Sequence, residues 1–308
     1  MASIIRAEKV GKSYGDFRAL KGISFSIEEG QCFGFLGHNG AGKTTTMRML
    51  YGLSTVDEGE LWLAGERIHL TPPHLKQLLG VVPQEDNLDP DLTVLENLAV
   101  YGGHFGLSRQ QANQRGKELL EFMGLSGKED GNIEELSGGL KRRLVIARAL
   151  INQPKIIILD EPTTGLDPQA RRLVWQKLRW LKNEGITLVL TTHYMEEATQ
   201  LCDRLVMMNE GSILAEGSPQ ELVEKWIMPY VIEVHVPLDQ VPPNLADKVK
   251  ALGGQAEQIA DDIFLFSNDG PALWQSLGEL GLPQHSCYLR PASLEDVFLK
   301  LTGRRKDE

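Results

Sequence analysis

The chain has little cysteine. Of 308 residues, only Cys32, Cys202 and Cys287 are cysteines. None stands in a CxxC pair or at metal-ligand spacing, and an odd, scattered set argues against a disulfide framework. The reading is three reduced thiols in a cytosolic protein. Long apolar runs are also missing. "KIIILD" and "ITLVLTT" have the length of buried strands, far below the roughly 20 residues that cross a bilayer. The opening "MASIIRAEKV" lacks a positive segment followed by an extended apolar core, so no signal peptide is expected. Any membrane role then needs a partner. Positive charge is not in excess: 32 Lys and Arg against 42 Asp and Glu leave a net charge of −10. Nucleic-acid affinity rests on clustered Lys and Arg, so no nucleic-acid partner is expected. Repeats and low-complexity tracts are absent as well.

What is present reads as globular, with room for one large domain or two smaller ones. The opening third alternates or runs apolar between glycines, as in "SIIRAEKVGKSYG", "SFSIEEGQCFGFLG" and "GELWLAGERI", and reads as strands. The stretch 87–135 turns helical in pattern, with apolar residues three to four apart. Strand and helix then alternate through "KRRLVIARALI", "PKIIILDEP", "PQARRLVWQKLRWLKNEG", "ITLVLTTH", "MEEATQLCDR" and "LVMMNEGSILAEG". That alternation predicts a mostly parallel sheet with helices on its faces. A boundary is expected near "EKWIMPY", dividing residues 1–227 from a small α+β unit over 228–308. The final "GRRKDE" is expected to fray.

"GHNGAGKT" fits G-x-x-x-x-G-K-[ST] and lies between an apolar strand and a helix, where a phosphate-binding loop must lie. Gly37, His38, Asn39, Gly40, Ala41 and Gly42 form the cradle. Its glycines let backbone N–H groups turn inward, and the helix N-terminus adds its positive dipole end. Lys43 is expected on the β and γ phosphates, Thr44 on Mg²⁺, and Thr45 beside the α phosphate. ATP and Mg²⁺ are the cofactors this implies. His38 is assigned no side-chain chemistry.

Such a loop needs an acid to organise the metal. Asp160 ends the apolar strand "KIIILD", so its carboxylate emerges at the sheet's C-terminal edge, where ligands bind in open α/β sheets. Glu161 follows and is the candidate base for the attacking water. The bland alternative is a strand cap before Pro162. His193 ends "ITLVLTTH" in the same way and is the candidate γ-phosphate contact.

"EELSGGLKRR" offers a second anion site. Ser137, Gly138 and Gly139 combine a hydroxyl, exposed N–H groups and a helix start. No lysine and acid in phosphate-loop arrangement accompany it. The economical reading is a half-site that closes over the nucleotide of a second copy, two copies meeting head to tail about a two-fold axis. The basic run Lys141, Arg142 and Arg143 reads first as a solvated helix start, and alternatively as a set of contacts at the membrane-partner or dimer surface.

Tyr14, "GHNGAGKTT", "VVPQ" with Gln84, "LSGG", "IIILDEP", "TGLD" and "TTH" occur in one order and at the approximate spacing of an ATP-binding-cassette (ABC) ATPase subunit. The resemblance covers residues 4 to about 225. Within the family the chain resembles ATPase subunits of ABC-2-type exporters, the drug-efflux and nodulation-factor group. It implies a P-loop α/β core with an antiparallel β subdomain and a helical subdomain near 87–145. It also implies a Tyr14 that stacks on adenine, a Gln84 that senses Mg²⁺ and the attacking water, and an Asp167 in the loop touching the other copy. The implied partners are a second copy and integral-membrane permease subunits, at the cytoplasmic face of the inner or plasma membrane. A groove in the helical subdomain would receive the permease. Leu140 departs from the usual LSGGQ, and activity is expected to survive that change. The rival readings are a cassette acting without a transporter and a module that closes on ATP without hydrolysis. "LRPASLEDVFLKLTG" resembles the closing segment of exporter ATPases and implies a dimerisation or regulatory appendage. Val297, Phe298 and Leu301 are expected in its core. His235, Asp261, Asp262 and His285 show no ligand spacing.

Overall fold

The structure is a computed structural model that describes residues 3–259 and 262–302. Asp261 and the 303–308 tail lie outside the described residues. The chain divides into two compact units, Met1–Glu216 and Gly217–Glu308. The division falls earlier than the 227/228 position read from the sequence, so the helix at 219–226 belongs with the C-terminal unit.

The first unit runs β1 (Ser3–Tyr14), β2 (Phe17–Glu28), β3 (Cys32–Leu36), α1 (Lys43–Leu50), β4 (Glu58–Leu63), β5 (Glu66–Ile68), α2 (Pro73–Lys76) and β6 (Leu79–Val82). It continues with α3 (Val94–His104), α4 (Arg109–Phe122), α5 (Gly138–Ala149), β7 (Ile156–Asp160), α6 (Pro168–Asn183), β8 (Thr187–Thr192), α7 (Met195–Leu201), β9 (Arg204–Asn209) and β10 (Ser212–Gly217). One sheet, ordered β2-β1-β4-β5, pairs antiparallel throughout. β2 buries Ile23, Phe25 and Ile27 at alternate positions, as a strand with one solvated face does. The central sheet is ordered β10-β9-β3-β8-β7-β6. Its inner strands β3, β7 and β8 are buried at every position, the mark of parallel strands covered on both faces. Phe25, Phe33 and Phe35 pack between the sheets, with ring centroids 5.0 to 6.0 Å apart.

The helical stretch is less continuous than its pattern suggests. Only α3 and α4 are α-helical between 87 and 135, beside one 3-10 turn at Ile133–Glu135. Each helix opens with a capping box, Thr93 with Glu96 and Ser108 with Gln111. Pro90, Gly124, Gly127 and Gly131 break the segments outside them. "LVMMNEGSILAEG" also forms two strands, not one. Glu210 and Gly211, both at positive φ, make a two-residue hairpin turn of the primed kind between β9 and β10.

The C-terminal unit holds α8 (Pro219–Trp226), β11 (Tyr230–Val234), α9 (Leu245–Ala251), β12 (Gln255–Ile259), β13 (Asp262–Ser267), α10 (Gly270–Gln275), α11 (Leu277–Leu280), β14 (Cys287–Pro291) and α12 (Leu294–Thr302). Its antiparallel sheet is ordered β12-β13-β11-β14. β12, "QAEQI", carries too little apolar alternation to be read from sequence. "PALWQSLGELGL" breaks into α10 and α11 at Ser276. Val297 and Phe298 are buried and Leu301 is half-buried. No helix among the described residues is long and apolar enough to cross a membrane.

Candidate active site

Parallel register brings the ends of four strands to one edge. Leu36 pairs with Thr192, Asp160 with Thr191, and Val82 with Leu159. Gly37, His193, Glu161 and Gln84 follow those ends within two residues. The sequence motifs at 37–45, 84, 160–161 and 193 therefore converge because the sheet is parallel.

The loop from Gly37 to Gly42 bends tightly into α1. Gly40 and Gly42 take positive φ, and Gly42 caps the helix. The Gly37 N–H donates to the Thr192 carbonyl at 3.3 Å, tying the loop to β8. A Cβ on Gly37 would lie 2.5 Å from the Met208 carbonyl oxygen, so only glycine fits. His38 and Asn39 are exposed, whereas Ala41 is buried. Lys43 is 5% exposed and donates to the carbonyls of Gly37 (2.7 Å) and His38 (3.0 Å). Burial pushes its pKa down, and the nearby Glu161 and Asp160 carboxylates pull it up by less. Thr45 sits half-buried on the first turn of α1.

Thr44 Oγ1 donates to Asp160 Oδ1 at 3.3 Å, and Thr191 Oγ1 donates to the same oxygen. Among the described residues no group of three His, Cys, Asp or Glu could hold a metal. Mg²⁺ fits this pair nonetheless, since it takes one or two carboxylates and completes its shell from water and phosphate oxygens. Glu161 is 7% exposed and sits at φ 48, a strained value for a non-glycine residue. Its N–H donates to both Thr191 oxygens, which holds that conformation. Its carboxylate lies 3.9 Å from Lys43 Nζ and 3.1 Å from His193 Nδ1, and accepts from Thr164 Oγ1 (3.2 Å) and Gln84 Nε2 (3.5 Å).

Tyr14 stands at the end of β1, half exposed. Its hydroxyl shares a hydrogen bond with Ser54 at 3.3 Å, and Lys12 Nζ lies 5.4 Å from its ring centroid. Ser137 N-caps α5 yet makes no side-chain capping bond, unlike Thr93, Ser108, Asp167 and Ser218 at their helices. Ser137 and Gly138 are exposed. Asp167 Oδ1 caps α6, accepting from Gln169 and Ala170 N–H at 2.9 Å each.

The basic run is corrected by the structure. Arg142 is not a solvated residue: it is 4% exposed. It points from α5 into the unit, where backbone carbonyls compensate its burial. The sequence holds no signal for this, because those acceptors come from distant segments.

Comparison with known proteins supports the same assignment. A sequence profile described as "ABC transporter" matches residues 20–164, and one described as "Nodulation factor export protein NodI, C-terminal domain" matches 243–303. "Nod factor export ATP-binding protein I" of Burkholderia lata is 50% identical over 301 residues, 97% of each chain. The protein of the same name from Cupriavidus metallidurans is 47% identical over 305 residues, 99% of each chain. A dimeric ATP-binding cassette in a post-hydrolysis state, bound to ADP and Pi, superposes with a TM-score of 0.64 at 30% identity, over 70% of this chain and 98% of that one. A nucleotide-free ATP-binding cassette from an ABC transporter gives 0.66 at 30%, over 73% and 94%. Cassettes of this kind bind nucleotide, dimerise and work with membrane permease components. The chain belongs to the ABC transporter family, as an ATP-hydrolysing exporter subunit with a NodI-type C-terminal domain.

Proposed function

We propose that two copies of this chain close head to tail on ATP and drive an ABC-2-type permease from the cytoplasmic face of the inner membrane. Each triphosphate lies between Gly37–Thr45 of one copy and Ser137, Gly138 and Gly139 of the other, with Tyr14 against adenine. The uncapped hydroxyl of Ser137 supports that reading. Thr44, Asp160 and Gln84 hold Mg²⁺, which when bound neutralises charge on the phosphates. Glu161 takes a proton from water as its oxygen attacks the γ phosphorus and the bond to the β-phosphate oxygen breaks. His193 contacts the γ phosphate and also orients Glu161 through Oε1, Thr164 and Gln84 orient it through Oε2, and Lys43 steadies the phosphates.

A cavity of about 490 Å³ lies beside the helical segments, lined by Tyr51, Leu53, Leu79, Val81, Tyr101 and Phe105 among others. Its apolar rim and closeness to the Gln84 segment suit a helix of the permease. The relatives' names suggest a Nod-factor-type cargo. The C-terminal unit is assigned to holding the two copies together.

The observation that carries the proposal is the buried Glu161 carboxylate, ringed by Lys43, His193, Thr164 and Gln84 beside the Thr44–Asp160 pair. Glu161→Gln should bind ATP and dimerise on gel filtration while turnover drops about a thousandfold, within the range of a lost general base. Rapid turnover by that variant would remove Glu161 from the role of base.

A further inference from the structure

The guanidinium of Arg142 has five N–H donors. Five backbone carbonyls receive them. Nη1 donates to Pro83 (2.6 Å) and Gln84 (3.5 Å), Nη2 to Asp160 (2.9 Å) and Glu161 (3.0 Å), and Nε to Pro162 (2.7 Å). Asp86 Oδ1 lies 3.7 Å from Nη1 as its nearest counter-charge. Three separate segments thus meet on one side chain: the end of β7 with the residues after it, the turn after β6, and the start of the second turn of α5. Gly138 and Gly139 lie on the preceding, first turn of α5. A buried cation held almost wholly by main-chain oxygens is a costly device, and a solvated helix start has no need of it.

We infer that Arg142 is a positioning residue. It fixes the backbone of Glu161 against that of Gln84 and ties both to the N-terminal turn of α5. A shift of Ser137–Gly139 on meeting a nucleotide therefore moves the base and the Gln84 segment together. The catalytic pair of one site is linked in this way to the half-site the same copy lends to its partner. Lysine replaces it only in part, because an ammonium has three donors and no planar fork. The inference rests on the reading of Glu161 as the base.

The test uses the full chain with ATP, reading kcat, the Kd for a fluorescent ATP analogue, and Tm. Arg142→Met should lower kcat about a hundredfold, as a base displaced by about an ångström would, with Kd changed less than about threefold. Arg142→Lys should recover part of kcat at unchanged Kd. In a Glu161→Gln background, where single-turnover hydrolysis is followed, Arg142→Met should add less than about threefold, because its effect runs through a base already removed. A folded Arg142→Met with kcat near the parent's, equal losses in kcat and affinity, or full additivity with Glu161→Gln would each overturn the inference. Where the methionine variant does not fold, Arg142→Lys decides: reduced kcat at parental Kd supports the inference, and parental kcat defeats it. Rapid turnover by Glu161→Gln alone would instead sink the base assignment, so the two failures are distinguishable.

Discussion

Lys43 Nζ lies 3.9 Å from Glu161 Oε1, and neither side chain has appreciable access to water. The ammonium is held by the carbonyls of the loop it closes, Gly37 and His38. The proposed phosphate lysine and the candidate base thus share one electrostatic environment, and a change in one is felt by the other.

That environment has a pH consequence. Burial lowers the Lys43 pKa below its ordinary 10.5, and the Glu161 and Asp160 carboxylates only partly oppose it. Between the lowered value and 10.5 the folded chain holds fewer protons than the unfolded one. Stability from this group therefore rises with pH across that window. In the proposed site affinity would run the other way, because Lys43 grips phosphate there as an ammonium. ATP titrations at increasing pH should show binding by the parent weakening below 10.5. Lys43→Arg should stay flat over the same window, since a guanidinium does not titrate there. Parallel loss in both proteins would assign the effect to another group.

The loop's glycines should differ in cost. Gly37→Ala would place its Cβ 2.5 Å from the Met208 carbonyl oxygen and 3.0 Å from Ala41 Cβ, so the backbone must shift. Gly40 has positive φ but open space around it. Gly37→Ala should cost about 2 to 3 kcal/mol and weaken ATP binding at least about tenfold, as overpacking beside a positioned ligand does. Gly40→Ala should cost about 1 to 2 kcal/mol, from strain at positive φ alone. Thermal melts and nucleotide titrations rank the two, and an equal ranking would show that Met208 yields easily.

Glu197 on α7 is fully buried. Its Oε1 accepts from Thr163 Oγ1 (2.7 Å) and Trp175 Nε1 (3.0 Å), joining α7 to α6 and to the loop after Glu161. Its Oε2 has no hydrogen-bond partner among the described residues. Glu197→Ala strands two buried donors and opens a cavity, and should cost about 2 to 4 kcal/mol. Glu197→Gln keeps an oxygen for both donors and should stay within about 1 kcal/mol of the parent. Denaturant unfolding measures both. A large loss in the glutamine variant would mean that the charge itself is needed.

Much of the site was legible because its parts are short strings at the ends of apolar strands. "GHNGAGKT", "LDE" and "TTH" announce their own local structure, and parallel alternation brings them to one edge. Arg142 was not legible. Its partners Pro83, Gln84 and Asp160 to Pro162 present only main-chain oxygens, which no residue type records. β12 and the break at Ser276 escaped for a related reason: weak alternation in "QAEQI" and a continuous helical pattern across "PALWQSLGELGL" are decided by tertiary packing, not by local preference. The position of the unit boundary likewise depends on where α8 packs.

In the C-terminal unit, Arg290 joins β11, β14 and α12. Nη1 and Nη2 donate to the two oxygens of Asp296 at 2.7 Å each, and Nε donates to Glu233 at 2.6 Å. The Asp296 side chain is 1% exposed. These carboxylates raise the Arg290 pKa above its ordinary range against the opposing effect of burial, so the guanidinium stays charged. Arg290→Met would leave Asp296 buried with only the Ser293 N–H and hydroxyl as donors. The expected loss is about 3 kcal/mol, at the low end for a broken buried pair because Arg290 and Glu233 keep some contact with water. Adding Asp296→Leu to that variant should restore at least half of the loss, since the most deeply buried uncompensated charge is then gone. ATP affinity should be unchanged in both proteins. If the double variant is as unstable as the single one, the pair acts by geometry, fixing the approach of β14 to α12, and not by charge compensation.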